Sequence, residues 1–377
     1  MQTTIGRWNI RLGIDYINKG FNGCIDDNAG LGKGENVIMV NHHVSNGEVS
    51  IFAGRTGRAF AEKMCKYLGV RLGDSETLVF SEGNIFVRVN ETIRSKDVFI
   101  VQPIGADPNN EFVELLFWID AFKRASSGSV TAIIPFFSYA KGDKKDEPRV
   151  SIRARVCAES IELAGADRVI TMELHSPQVQ GFFKKPVDNL LVTNLISAYI
   201  KEQDFVDDDL VVVSPDGGYA KRARAYANCL HTNFAIGEKI RTTHDENAKI
   251  LSIIGDVKDK NCLIVDDFSI SGGTLVSVAE GLKQKGAKRI WAALAHPNMR
   301  ENGVKKIEES PIERVIVTDT LECPAIEQST KIEMISAAPL FAESVWRIQN
   351  QQPLGEMFDR IPERVCHASF SKEFTQK

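Results

Sequence analysis

From about Ser50 onward, short runs rich in β-branched residues alternate with longer amphipathic patterns, and few folds accommodate that rhythm. "EVSIFAG" precedes the helix-like "RAFAEKMCKYLG", and "DVFIVQP" precedes "EFVELLFWIDAFKRAS". "SVTAIIPFF" leads through a basic loop into "SIRARVCAESIELAG", and "DRVITMEL" follows. The pattern resumes with "DLVVVSPD", "YAKRARAYANCLH", "KNCLIVDDF", "TLVSVAEGLKQKG" and "RIWAALAH". Repeated strand-then-helix units predict an α/β fold of mostly parallel sheets covered by helices on both faces. The units suffice for two such sheets, with a boundary between Thr193 and Asp207. This gives an N-terminal extension over 1–48, α/β domains over 49–195 and 196–360, and a tail over 361–377. The halves show no strong sequence repeat.

Other features bound the class. The formal net charge of −4 argues against a general nucleic-acid binder. The cysteines are odd in number and lack metal-ligand spacing, so free thiols in a reducing cytoplasm are expected. No secretory leader or membrane-length apolar run is read, so a cytoplasmic chain without membrane partners is expected. The glycine-rich "DDNAGLGKGEN" lacks the P-loop pattern, and His42-His43 reads as incidental rather than metal-binding.

The stretch "CLIVDDFSISGGTLVSVAEGLKQKG" carries the densest chemistry. An apolar strand ends in Asp266-Asp267, a turn Ser271-Gly272-Gly273-Thr274 follows, and a helix begins. In parallel sheets ligands bind where strand C-termini meet helix N-termini, and free backbone N–H groups there attract phosphate. Glycines permit close backbone approach, hydroxyls add donors, and the two acids can accept hydrogen bonds from vicinal ribose hydroxyls. A strand-turn-helix with solvated acids is the weaker alternative.

"IVDDFSISGGTL" resembles the ribose-phosphate loop of the phosphoribosyltransferase fold. The wider chain is similar to the ribose-phosphate diphosphokinase family, also called phosphoribosyl diphosphate synthetases. "FSEGN", "IPFFSYAKGDKK", "ELHSPQVQGFF", "VDNL", "VVVSPDGGYAKRA", "IGDVKDKNCLIVDD" and "AHP" occur in that family's order, from about Ser50 to Asp359. The resemblance implies two phosphoribosyltransferase-like α/β domains with an active site between them and a neighbouring subunit. It implies Mg²⁺, ATP and ribose 5-phosphate, diphosphoryl transfer to the anomeric hydroxyl, and a homo-oligomer of dimers or a hexamer. Lys239 and Arg241 match the family's catalytic basic pair, which suits the charge that develops in phosphoryl transfer. His175 matches a residue near the ATP phosphates and the metal, and Asp216 one near the ribose phosphate and the metal. Phe80, Glu82 and Asn84 match the adenine loop, while Lys141 and Asp143 fall in a basic ATP flap. Apart from the resemblance, each residue has an ordinary reading as core or surface. No nucleophile or general base is assigned.

Four departures stand out. Ile270-Ser271 replaces an acid-threonine pair, Lys141-Gly142 replaces Arg-Gln, Glu82 and Asn84 replace Asp and Glu, and Glu173 replaces the commoner Asp. Lys lacks the planar fork of Arg, and Gly142 has no side chain. Ile270 removes a negative charge from the turn, which leaves open a 5-substituted acceptor such as ADP-ribose, a route to NAD salvage. A catalytically silent regulatory subunit and a simple phosphoribosyltransferase are further alternatives.

Overall fold

The computed structural model describes residues 49–207, 209–241 and 249–375. The N-terminal extension, with "DDNAGLGKGEN" and His42-His43, lies outside them, as do the side chains of residues 239–241 and 249–251. The first strands are β1 (Ser50–Ala53), β2 (Ser75–Val79), β3 (Ile85–Val89), β4 (Asp97–Val101), β5 (Ser129–Ile134), β6 (Arg168–Met172) and β7 (Val187–Leu190). With them come α1 (Arg58–Leu68), α2 (Pro108–Arg124) and α3 (Arg153–Ala164), and α4 (Thr193–Lys201) follows. Next are β8 (Leu210–Ser214), β9 (Asn233–Arg241), β10 (Lys249–Ile254), β11 (Asn261–Phe268), β12 (Arg289–His296), β13 (Arg314–Thr318) and β14 (Ile332–Ile335). The remaining helices are α5 (Ala220–Leu230), α6 (Gly273–Gln284), α7 (Glu301–Glu309), α8 (Ala338–Gln349), α9 (Glu356–Asp359), α10 (Glu363–Phe370) and α11 (Lys372–Thr375).

The expected α/β class is present. One sheet is wholly parallel in the order β1-β4-β5-β6-β7. The other runs β10-β9-β8-β11-β12-β13-β14, parallel except where β10 pairs antiparallel with β9. An antiparallel β2–β3 hairpin forms a third, small sheet. The period-2 alternation of each strand sends its residues into different cores. Phe52, Val98, Ile100, Val130 and Ala132 pack outward against Trp118, Ile119 and Phe122 of α2. Ile51, Phe99, Ile133 and Ile170 face the opposite way, into a core that also takes Val212, Leu263 and Ala293 of the second sheet. Leu275, Val278 and Leu282 of α6 cover the far face of that second sheet.

The layers therefore run helix, sheet, helix, sheet, helix, and the middle helices α1, α4, α5 and α8 serve both sheets. The expected domain boundary falls inside α4, whose Leu195, Ile196 and Ile200 belong to the shared core. Helix α8 follows the last strand of the second sheet yet packs on α1 of the first. The segment read as a tail is helical and docked: Val365 is fully buried, and Arg364 pairs with Glu343 of α8 at 2.7 Å. Among the described residues no helix is long and apolar enough to cross a membrane.

Candidate active site

The C-terminal ends of strands from both sheets converge on one place. Strand β11 ends in Asp266, Asp267 and Phe268, while His175 follows β6 of the other sheet. The Nδ1 atom of His175 lies 2.6 Å from Oδ2 of Asp267, so the two sheets touch through an acid–imidazole pair. The hydrogen bond that the imidazole donates to Asp267 lifts His175 above its ordinary pKa against the opposing pull of burial. Burial alone would push the Asp267 carboxyl up, but the bond and charge of His175 hold it below the usual carboxylate range. Asp266 goes the other way: burial, then the charge of Asp267, push it up to about 8. Two adjacent acids thus have opposite tendencies because only Asp267 is hydrogen-bonded to the imidazole.

The basic flap reaches the same point. Lys141 Nζ stands 3.8 Å above the centre of the Phe268 ring, a cation–π contact. Burial lowers its pKa, while Asp267 and Asp266 oppose that shift. Asp143 is close enough to add its charge to the field at His175. Behind them, Phe136 packs on His296 with ring centres 4.7 Å apart. His296 is buried, its Nδ1 lies 2.8 Å from Thr320 Oγ1, and burial brings its pKa down to about 4. It is therefore a neutral structural imidazole.

A second loop leaves β8 on the same edge of the seven-stranded sheet. Oδ1 of Asp216 accepts hydrogen bonds from the backbone N–H groups of Gly218 and Tyr219, at 2.8 and 3.2 Å, and fixes the turn into α5. Asp216 is exposed. A Cβ added at Gly217 would meet nothing within 4 Å, so the protein itself gives no steric reason for that glycine.

The two glycines before α6 divide in role. Gly272 has φ +68°, and a Cβ there would stand 2.8 Å from the carbonyl oxygen of Gly303 in α7. Its identity is demanded by chain geometry. Gly273 has no such need, because its added Cβ would meet only Ser271 Oγ at 3.6 Å. Ser271 is exposed and Thr274 half-buried at the N-terminal end of this twelve-residue helix, where N–H groups face outward. Ile270 is 36% exposed, and its carbonyl accepts a hydrogen bond from Arg300 N at 3.0 Å. The turn thus tolerates isoleucine because its main chain, not its side chain, is tied to the neighbouring segment.

Lys239 and Arg241 occupy alternate positions of β9, opposite Leu251 and Lys249 in the register with β10. They lie beyond Ile236, the last β9 residue paired with β8, and so extend past the sheet edge that carries Asp216. Phe80, Glu82 and Asn84 are not drawn into this cluster. They form the tip of the β2–β3 hairpin, and among the described residues their recorded contacts stay within it, such as Phe80 with Phe86 and Asn84 with Glu82. Sequence reasoning gave no role to Phe136, Phe268, His296 or Arg222. The "AHP" and "YAKRA" strings were the available signal.

Among the described residues no group of three or more His, Cys, Asp and Glu side chains could hold a metal. A sparse set still fits Mg²⁺, which keeps waters and substrate phosphate oxygens and takes one or two protein carboxylates. Asp216, exposed at a loop, matches that demand, and His175 retains its outer ring nitrogen.

Comparison with known proteins agrees with this geometry. Residues 49–165 match the model of the N-terminal domain of ribose phosphate pyrophosphokinase, and residues 239–359 match the phosphoribosyl synthetase-associated domain. The ribose-phosphate pyrophosphokinase of Clostridium acetobutylicum is 40% identical over 320 residues, covering 85% of this chain and 99% of the relative. That of Caldanaerobacter subterraneus subsp. tengcongensis is 42% identical over 310 residues, covering 82% and 98%. The crystal structure of phosphoribosylpyrophosphate synthetase from Mycobacterium smegmatis aligns with a TM-score of 0.76 at 35% identity, covering 81% of this chain and 99% of that one. The chain belongs to the ribose-phosphate pyrophosphokinase family.

Proposed function

We propose that the chain transfers the β,γ-diphosphoryl group of ATP to the anomeric hydroxyl of ribose 5-phosphate, giving phosphoribosyl diphosphate and AMP. The observation that carries this reading is the 2.6 Å contact of His175 with Asp267, which joins the ATP-side loops to the ribose-side turn. In the transfer, the anomeric oxygen bonds to the β-phosphorus as the bond from that phosphorus to the α,β-bridging oxygen breaks. AMP leaves, and the hydroxyl proton passes to solvent. The protein's work is orientation and charge stabilisation.

Asp266 and Asp267 orient the ribose hydroxyls, while Ser271, Gly273 and Thr274 present donors to the 5-phosphate at the start of α6. Lys141 can exchange its cation–π contact with Phe268 for the polyphosphate. Lys239 and Arg241 stabilise charge on the migrating group. Asp216 and His175 would hold Mg²⁺, which when bound neutralises phosphate charge. Phe80, Glu82 and Asn84 face outward on their hairpin, so an adenine role fits a site completed by a second copy in a homo-oligomer. The described cysteines are all unpaired, which fits a cytoplasmic setting.

Incubation with Mg-ATP and ribose 5-phosphate, followed by phosphorus NMR, should show AMP and the 1-diphosphate together. Absence of AMP would end this reading. A second reading, the same transfer to a 5-substituted ribose such as ADP-ribose, draws on the uncharged, part-exposed Ile270 at the turn. It requires ADP-ribose to exceed ribose 5-phosphate in kcat/KM when the two are compared side by side.

A further inference from the structure

Glu173 stands directly after β6 and two residues before His175, and nothing in the transfer uses it. Its backbone has φ 41°, in the left-handed region that non-glycine residues avoid. Such a conformation persists only where the surroundings enforce it. Here they do so from both sheets. The Glu173 N–H donates to the Leu190 carbonyl at 3.0 Å, at the end of β7. Its Oε1 accepts from the Val192 N–H at 3.0 Å, at the start of α4. Its Oε2 lies 3.3 Å from Nε of Arg222, on α5 of the second sheet. The carboxylate side chain is 2% exposed and the Arg222 side chain 22%.

The position of Arg222 gives this pair its meaning. Helix α5 begins at Ala220, immediately after the Asp216-Gly217-Gly218-Tyr219 turn. The ion pair therefore connects the loop that carries His175 with the helix that anchors the loop of Asp216. A carboxylate this deeply buried is tolerated when its oxygens have partners, and both oxygens do. A shorter acid would not serve equally. Aspartate would draw the carboxylate back by about 1.5 Å, one carbon–carbon bond, and could not meet both Val192 and Arg222 from the same backbone position.

We infer that Glu173 and Arg222 form a positioning pair that sets the spacing between the His175 loop and the Asp216 loop, and so between the ATP side and the ribose side of the site. This rests on the diphosphokinase reading. Neither residue is catalytic; each acts through its neighbours.

The test compares Glu173→Gln, Arg222→Met, their double variant and the conservative Arg222→Lys with the full-length wild type. Three quantities are read: kcat with KM for Mg-ATP, the thermal midpoint, and the Kd of a non-hydrolysable Mg-ATP analogue by calorimetry. Each neutralising single variant should lose at least tenfold in kcat and bind the analogue at least threefold more weakly. The double variant should be no worse than the poorer single, because both changes remove one device. Arg222→Lys, which keeps the charge but not the fork, should recover part of both losses. The midpoint of Glu173→Gln should stay within a few degrees of wild type, so that the functional loss is not an unfolding loss. Unchanged kcat and Kd in folded Glu173→Gln would overturn the inference, as would losses that add in the double variant. If Arg222→Met does not fold, Glu173→Gln and Arg222→Lys decide the matter. Wild-type protein that binds the analogue but releases no AMP would defeat the diphosphokinase reading alone, and the calorimetric comparison would still judge the pair. Wild-type protein that does not bind the analogue would overturn both.

Discussion

Replacing each of the two glycines before α6 by alanine separates what the fold requires from what a ligand requires. At position 272 the backbone sits at φ +68°, and a Cβ would come 2.8 Å from the Gly303 carbonyl oxygen. That neighbour is main chain and is itself tightly placed: a Cβ at Gly303 would stand 2.8 Å from the Ile270 oxygen. Left-handed backbone costs an L-residue about 1–2 kcal/mol, and displacing α7 adds a similar amount, so Gly272→Ala should lose about 2–4 kcal/mol. For a chain of this size that lowers Tm by about 4–8 °C, at about 2 °C per kcal/mol. At position 273 the added methyl meets only Ser271 Oγ at 3.6 Å, an ordinary contact. Alanine is also the better helix former there, so stability should hold or rise by up to about 1 kcal/mol. In the proposed site, however, the same methyl stands at the turn whose backbone donors would take the phosphate. Gly273→Ala should therefore raise KM for ribose 5-phosphate at least tenfold, equivalent to about 1.4 kcal/mol, without a lower Tm. Scanning calorimetry and initial-rate kinetics on both variants read the contrast. Wild-type KM in Gly273→Ala would remove the ligand from this turn, and wild-type Tm in Gly272→Ala would refute the packing argument.

If Lys239 acts on the transition-state charge, as proposed, Lys239→Ala should lower kcat by about 10²–10³ while KM for ATP changes little; an equal loss of affinity for a non-hydrolysable Mg-ATP analogue would contradict that role. The pH dependence of stability should follow Asp266. Its folded pKa is raised from 3.8 to about 8, so its contribution is complete below about pH 4 and is lost as pH rises toward 8. Asp266→Asn should therefore gain on wild type by on the order of a few kcal/mol between pH 5 and 8, read from urea midpoints; parallel curves would disprove the burial argument. Ile270→Asp restores a charge to the turn without touching its main-chain tie to Arg300. It should shift kcat/KM toward ribose 5-phosphate relative to ADP-ribose if the isoleucine sets acceptor choice, and an unchanged ratio would leave Ile270 with no part in that choice.

The strands were legible because buried parallel strands need no polar face. "LVVV" and "CLIV" read as unbroken apolar runs, and both became central strands of the second sheet. The β2–β3 hairpin escaped notice because "SETLV" and "IFVRV" belong to neither parallel sheet and do not fit the strand-helix rhythm. The shared middle layer was also hidden. That Leu195 and Ile196 of α4 lie in the same core as Ile51 and Leu263 depends on how two sheets pack, which no local periodicity records. The final helices look polar in sequence, yet Val365 and Phe374 suffice to dock them, with Arg364 held on Glu343 by two hydrogen bonds.

In the site, short-range chemistry was readable and long-range pairing was not. The acids of β11, the glycine turn and the "SPDGG" loop announce themselves because each is complete within a few residues. By contrast, the contact of His175 with Asp267 spans 92 positions. It changes what the acids are: Asp267 is engaged by an imidazole and by the Phe268 N–H, while Asp266 accepts only the Asp267 N–H among the described residues and burial dominates it. Adjacent carboxylates that look equivalent in sequence are thus unequal in the folded chain. The glycines show the converse. Gly272 and Gly273 look like one motif, but the first answers to a carbonyl of α7 and the second to empty space. A motif states which residues are present; only the packing decides which of them the ligand, rather than the fold, requires.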